Sequence, residues 1–113
     1  MLAVASIITA QTNTVDLSGY WDFQVDTGEH VTKGEFTLGK SGDAYLGTLT
    51  TQGRNTLAIR SLKLDGTQID MIVDTPEGVV RFQGTLGEDG KSMKGTVTYH
   101  KGMQFPMTAT KQS

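Results

Sequence analysis

Only a handful of side chains in this 113-residue sequence could do chemistry. His30 and His100 are its two histidines, and an imidazole can move a proton near neutral pH or bind a metal. Asp26 opens the triplet Asp26-Thr27-Gly28. Its carboxylate, set beside the same group of a second copy, would share one proton and activate a water. Arg54 follows Gln52-Gly53, and an arginine there could meet an anionic head group. There is no cysteine, hence no disulfide framework and no thiolate metal site. Beside this sparse polar set stands a larger apolar one: Trp21, Phe23, Phe36, Tyr45, Met71, Phe82, Tyr99 and Met107. Aromatic rings and adaptable methionines of this kind suit contact with a small apolar molecule, and they suit a filled core equally.

These residues share a phase. In Gly19 to Asp26, Trp21, Phe23 and Val25 alternate with Tyr20, Asp22, Gln24 and Asp26, the pattern of a half-buried strand. The pattern then repeats. Val31 to Leu38, Ala44 to Thr51, Leu57 to Leu64 and Thr67 to Val73 read as strands, followed by others around Phe82, Val97 and Met107. Turn signals separate them: Asp26 to Glu29, Gly39 to Gly42, Gln52 to Arg54, Asp65-Gly66, Thr75 to Gly78, Gly87 to Gly90 and Lys101-Gly102. Asp65-Gly66 reads as a two-residue hairpin turn with positive φ at both central positions. No helical period follows Thr12.

About eight strands joined by short turns make an antiparallel meander. The fold class is therefore all-β. Closure into a small up-and-down barrel removes both sheet edges; a two-sheet sandwich is the alternative. Gly34, Gly47, Gly84 and Gly95 fall on the inner face, where glycine allows a sharp bend or leaves room for a ligand. A turn at Lys40-Ser41 would set Gly34 opposite Gly47. Two registers are open for the later hairpin: a turn centred on Asp89-Gly90 pairs Gly84 with Gly95, and one centred on Glu88-Asp89 pairs Phe82 with Gly95. The second follows from a gapless echo of Gly39 to Thr50 in Gly87 to Thr98, explained by equal hairpins or by an ancestral duplication. Strict alternation from Leu62 and Leu64 would bury Arg60. A bulge near Arg60-Ser61 would instead return Leu57 and Ile59 to the core.

Residues 1–17 read as a signal-peptide remnant or a disordered N-terminal segment, and residues 18–113 as a single β-barrel domain. The apolar run Leu2 to Ala10 is too short to span a membrane but fits the apolar part of a secretory signal, without the basic segment that normally precedes it. A secreted or periplasmic location follows as an expectation. The net charge is −2 and the 10 basic residues are scattered, so no stripe for nucleic acid forms. No cofactor and no metal site are expected, and self-association is left open.

Gly19-Tyr20-Trp21 resembles the Gly-x-Trp motif of lipocalins and the wider calycin group, and the meander extends that resemblance over nearly the whole domain. The resemblance implies a tryptophan that closes one barrel end under a basic residue of the last strand, a role open to Lys111. It implies an open mouth at the other end, where the turns carrying His30, Arg54 and His100 gather. The domain is smaller than a typical lipocalin, lacks a C-terminal helix pattern and has no second tryptophan for an avidin-type site. Asp26-Thr27-Gly28 also resembles the aspartic-protease triplet, but Glu29 stands where a small residue is expected and Gly53 follows too soon. The function implied is a lipocalin-like, non-enzymatic binding protein holding a small hydrophobic or amphipathic ligand. The alternative is a structural or oligomerisation barrel with a filled interior.

Overall fold

The computed structural model describes residues 15–51 and 56–112. Eight strands follow in order: β1 (Gly19–Asp26), β2 (Val31–Ser41), β3 (Ala44–Thr51), β4 (Thr56–Asp65), β5 (Gln68–Thr75), β6 (Gly78–Leu86), β7 (Ser92–Thr98) and β8 (Gln104–Lys111). Each pairs antiparallel with its neighbour in sequence, and β8 returns to pair with β1, closing the barrel. The fold is thus the all-β meander expected from the alternation. The β1–β8 seam runs from Trp21 opposite Lys111 to Val25 opposite Met107. It stops where Pro106, which has no N–H to donate, enters the strand.

The alternating apolar residues face inward and make one core, including Trp21, Phe23, Phe36, Tyr45, Leu62, Met71, Phe82 and Met93. Among the described residues every buried side chain is apolar or aromatic. The β4 bulge lies at Arg60: two residues of β5, Val73 and Ile72, stand opposite Ile59 and Ser61. The same extra residue shifts the pairing of β4 with β3. The bulge keeps both Ile59 and Leu62 buried and sends Arg60 outward, where its guanidinium binds both carboxylate oxygens of Asp74. The inward arginine is therefore excluded.

Two turns differ from the sequence expectation. The β2–β3 turn is Gly42-Asp43, with Ser41 opposite Ala44; Gly34 then faces Thr51 and Gly47 faces Leu38, not each other. The β4–β5 turn is Gly66-Thr67, with Asp65 opposite Gln68. In both turns the glycine comes first and alone has positive φ, +61° and +64°. A glycine-first turn asks only one residue to leave the right-handed region, so Asp65 stays in the strand. Of the two registers open to the later hairpin, the structure has Gly84 opposite Gly95. A Cβ at Gly95 would run into the Gln83 carbonyl and the Gly84 backbone, so this close approach requires glycine.

Candidate functional site: an apolar cup at one barrel end

The two barrel ends are built differently. At the end bearing the turns after β2, β4 and β6, Leu17 is fully buried although the sequence reading assigned it to the segment preceding the domain. Trp21 Nε1 donates to the Leu17 carbonyl at 2.9 Å, and the Leu17 N–H donates to the Tyr45 hydroxyl at 3.2 Å. Lys111 Nζ donates to the Asp16 carbonyl at 3.0 Å. The Ser18 N–H donates to the Asp16 carboxylate at 2.9 Å; these Ser18 hydrogen bonds hold that carboxyl below its usual range, helped by the charge of Lys111. Trp21 lies parallel to Phe36, their rings 5.8 Å apart. This end is closed by a stopper of Leu17 over Trp21. Lys111 clamps the stopper through its backbone and pairs with Trp21 across the β1–β8 ladder. The segment 1–14, which carries the expected signal remnant, lies outside the described residues.

Among the described residues the opposite end is open. A cup of about 700 Å³ sinks into the barrel there. Phe23, Met71, Phe82 and Met107 lie at its base. Each is almost inaccessible to solvent, so the free space ends at these side chains and does not run through the barrel. Val25, Leu49, Val73 and Val97 continue the wall, and the half-buried Leu57, Val80 and Tyr99 reach toward the rim. The rim is polar, with Thr32, Lys33, Thr51, Thr75, Glu77 and His100. A volume in the range of small-molecule sites, apolar walls and a few polar groups at the edge are the ordinary features of a binding pocket.

The structure divides the expected lining. Phe23, Met71, Phe82, Tyr99 and Met107 border the cup. Trp21, Phe36 and Tyr45 do not; they pack the closed half. Of the expected rim residues, His100 borders the cup and stands against the backbone of Gly78. His30 is exposed in the β1–β2 turn and is not part of the wall. Arg54 lies outside the described residues. No group of three acidic or histidine side chains able to hold a metal ion occurs among the described residues. Asp26 accepts the Gly28 N–H at 2.9 Å, and both the N–H and the hydroxyl of Thr27 reach the His30 carbonyl. The Asp-Thr-Gly triplet is thus a side-chain-stapled hairpin turn.

Sequence reasoning placed Glu77 at the mouth, where it borders the cup, and missed Leu57, Val80, Val97 and Lys33. The available signal was height along the barrel: inward side chains on the half of each strand toward the mouth turns border the cup, and those toward the other turns pack the closed half. A second depression, about 690 Å³, lies on the outer wall of β8, β1, β2 and β3. It is a polar surface where Asp22 stands opposite Glu35, and Glu35 accepts the Tyr20 hydroxyl.

The fold and the cup together define a class: a closed eight-stranded antiparallel barrel with one stoppered and one open end. The chain is similar to a solved structure described as "De novo design of a fluorescence-activating beta barrel". Identity is 13%, the match covers 84% of this chain and 93% of that one, and the TM-score is 0.58. A likeness at that identity establishes the shared barrel. No protein-family model matches the chain, and no curated protein matches it. Among the described residues no helix is long and apolar enough to cross a membrane.

Proposed function

We propose that this is a small, lipocalin-like, non-enzymatic binding barrel that holds a small hydrophobic or amphipathic molecule in the cup. The observation that carries the reading is the cup itself, an apolar space of about 700 Å³ under a polar rim. A designed barrel of similar fold that activates fluorescence is support by analogy. The apolar run at the N-terminus supports an exported, secreted or periplasmic protein. The test is titration with a hydrophobic fluorescent probe, comparing wild type with Val80→Trp. Val80 is half-buried at the cup wall, so the larger ring fills free space without overpacking the core. Saturable one-to-one binding, weakened at least several-fold by the substitution, is expected.

One observation favours a second reading. Below Phe82 the bore is packed by Leu17, Trp21, Phe36, Leu62 and Met93, all fully or almost fully buried. A structural or oligomerisation barrel needs no more than that. Absence of probe binding to correctly folded protein would select this reading over the first.

A further inference from the structure

Two tyrosines point into the barrel, one toward each end, and their hydroxyls fare differently. Tyr45 sits in the closed half and its hydroxyl accepts the Leu17 N–H. Tyr99 stands at the cup wall, half-buried, its ring tilted against Phe105 at 5.4 Å. Its backbone is fully engaged in the β7–β8 turn: its N–H donates to Met103 and its carbonyl accepts from Gly102. Its hydroxyl makes no hydrogen bond to any described residue. Packing against Phe105 would be served as well by phenylalanine, so the hydroxyl is a polar group on the cup wall that the described residues do not use. No buried side-chain oxygen is left without a partner among the described residues, so this hydroxyl keeps contact with water, and an incoming acceptor atom would take the place of that water.

We propose that the Tyr99 hydroxyl is the polar anchor of the cup, and that the cup selects apolar molecules bearing an oxygen acceptor over plain hydrocarbons of the same shape. This rests on the binding reading above and names the ligand class within it. The hydroxyl donates to a carbonyl, carboxylate or ether oxygen of the ligand, while the apolar body lies on Phe82, Met71 and Met107. Lys33 and His100 on the rim are not needed for this contact. Burial, acting alone, raises the Tyr99 pKa, so the phenol keeps its proton and stays a donor throughout the neutral range.

The experiment uses two probes of nearly equal shape, 2-acetylnaphthalene and 2-isopropylnaphthalene, titrated into the full chain by calorimetry or by NMR. Wild type and Tyr99→Phe are compared; the substitution removes one oxygen and keeps the ring that packs on Phe105. Wild type is expected to prefer the ketone by roughly three- to tenfold, the range of one net hydrogen bond. Tyr99→Phe is expected to lose that preference while binding the hydrocarbon as wild type does. Equal affinity for both probes in wild type, or a ketone preference that survives in Tyr99→Phe, overturns the anchor and leaves the cup standing. Failure of both probes to bind folded protein overturns the anchor and the binding reading together. Val80→Trp, which should weaken both probes alike, locates the binding in the cup; if neither probe responds to it, the anchor fails because the ligand lies elsewhere.

Discussion

Phe23 stands directly across the β1–β2 ladder from Gly34, and its ring occupies the space that a side chain at Gly34 would need. A Cβ built there would lie 2.7 Å from two carbons of the ring and would also meet the Thr50 carbonyl. One glycine and one aromatic therefore share a single volume at the level where the cup ends. The glycine lets β2 bend sharply around the barrel, and the ring covers the bare backbone that this leaves.

Gly34→Ala should accordingly destabilise by about 1–3 kcal/mol through overpacking, and Phe23→Ala by about 3–5 kcal/mol through the cavity it leaves. The double variant should cost less than the sum, because removing the ring frees part of the space the new methyl needs. Urea unfolding of the three variants checks this. Strict additivity would mean that the two residues do not compete for one volume.

Trp21 is fully buried and its indole N–H holds the Leu17 stopper. Trp21→Ala should cost about 3–5 kcal/mol. Trp21→Phe should cost less, keeping the stack on Phe36 while leaving the Leu17 carbonyl without its donor. The native protein should emit at the short wavelength of a buried indole and shift to the red on unfolding. A solvent-exposed spectrum before unfolding would contradict the closed end.

At Arg60 the number of residues matters more than the charge. The Arg60–Asp74 pair is exposed, at 56% and 42%, so Arg60→Ala should change stability by less than about 1 kcal/mol. Deleting Arg60 removes the bulge and forces Leu57 and Ile59 outward, or Leu62 and Leu64 with the rest of β4, since a one-residue slip reverses every face. The deletion should abolish cooperative unfolding, as followed by circular dichroism during heating. A deletion variant as stable as Arg60→Ala would show that the bulge does not set the phase.

Alkaline pH should weaken the fold through its tyrosines. Burial raises the Tyr99 pKa. The Tyr20 hydroxyl bond to Glu35 raises that of Tyr20, first among several causes. In each case the unfolded chain loses its proton first. The contribution to stability is complete below about pH 10, the ordinary tyrosine value, and declines as pH rises through the higher folded-state pKa. Melting temperatures should fall across that range in wild type and fall less in Tyr99→Phe. Parallel curves would indicate that the Tyr99 hydroxyl is as well solvated folded as unfolded.

What the sequence determined by itself was the face of each residue. Alternation with a period of two, interrupted by turn signals, identifies the strands, their inward set and the need for a bulge at Arg60, because burying a charge costs more than breaking the ladder once. It could not determine which residue stands opposite which. Registers that differ by an even number keep every side chain on its own face. Hence Lys40-Ser41 and Gly42-Asp43 turns, or Asp65-Gly66 and Gly66-Thr67 turns, suit the pattern equally well. Only the packed barrel decided between them, since moving Gly34 away from Gly47 depends on contacts with both neighbouring strands at once. The tertiary structure also divided one apolar list in two. Trp21, Phe36 and Tyr45 meet Leu17 and fill the closed half, whereas Tyr99 and Val80 border open space. An inward phase is a local property of the chain, but a cavity is the volume left over after all eight strands have packed.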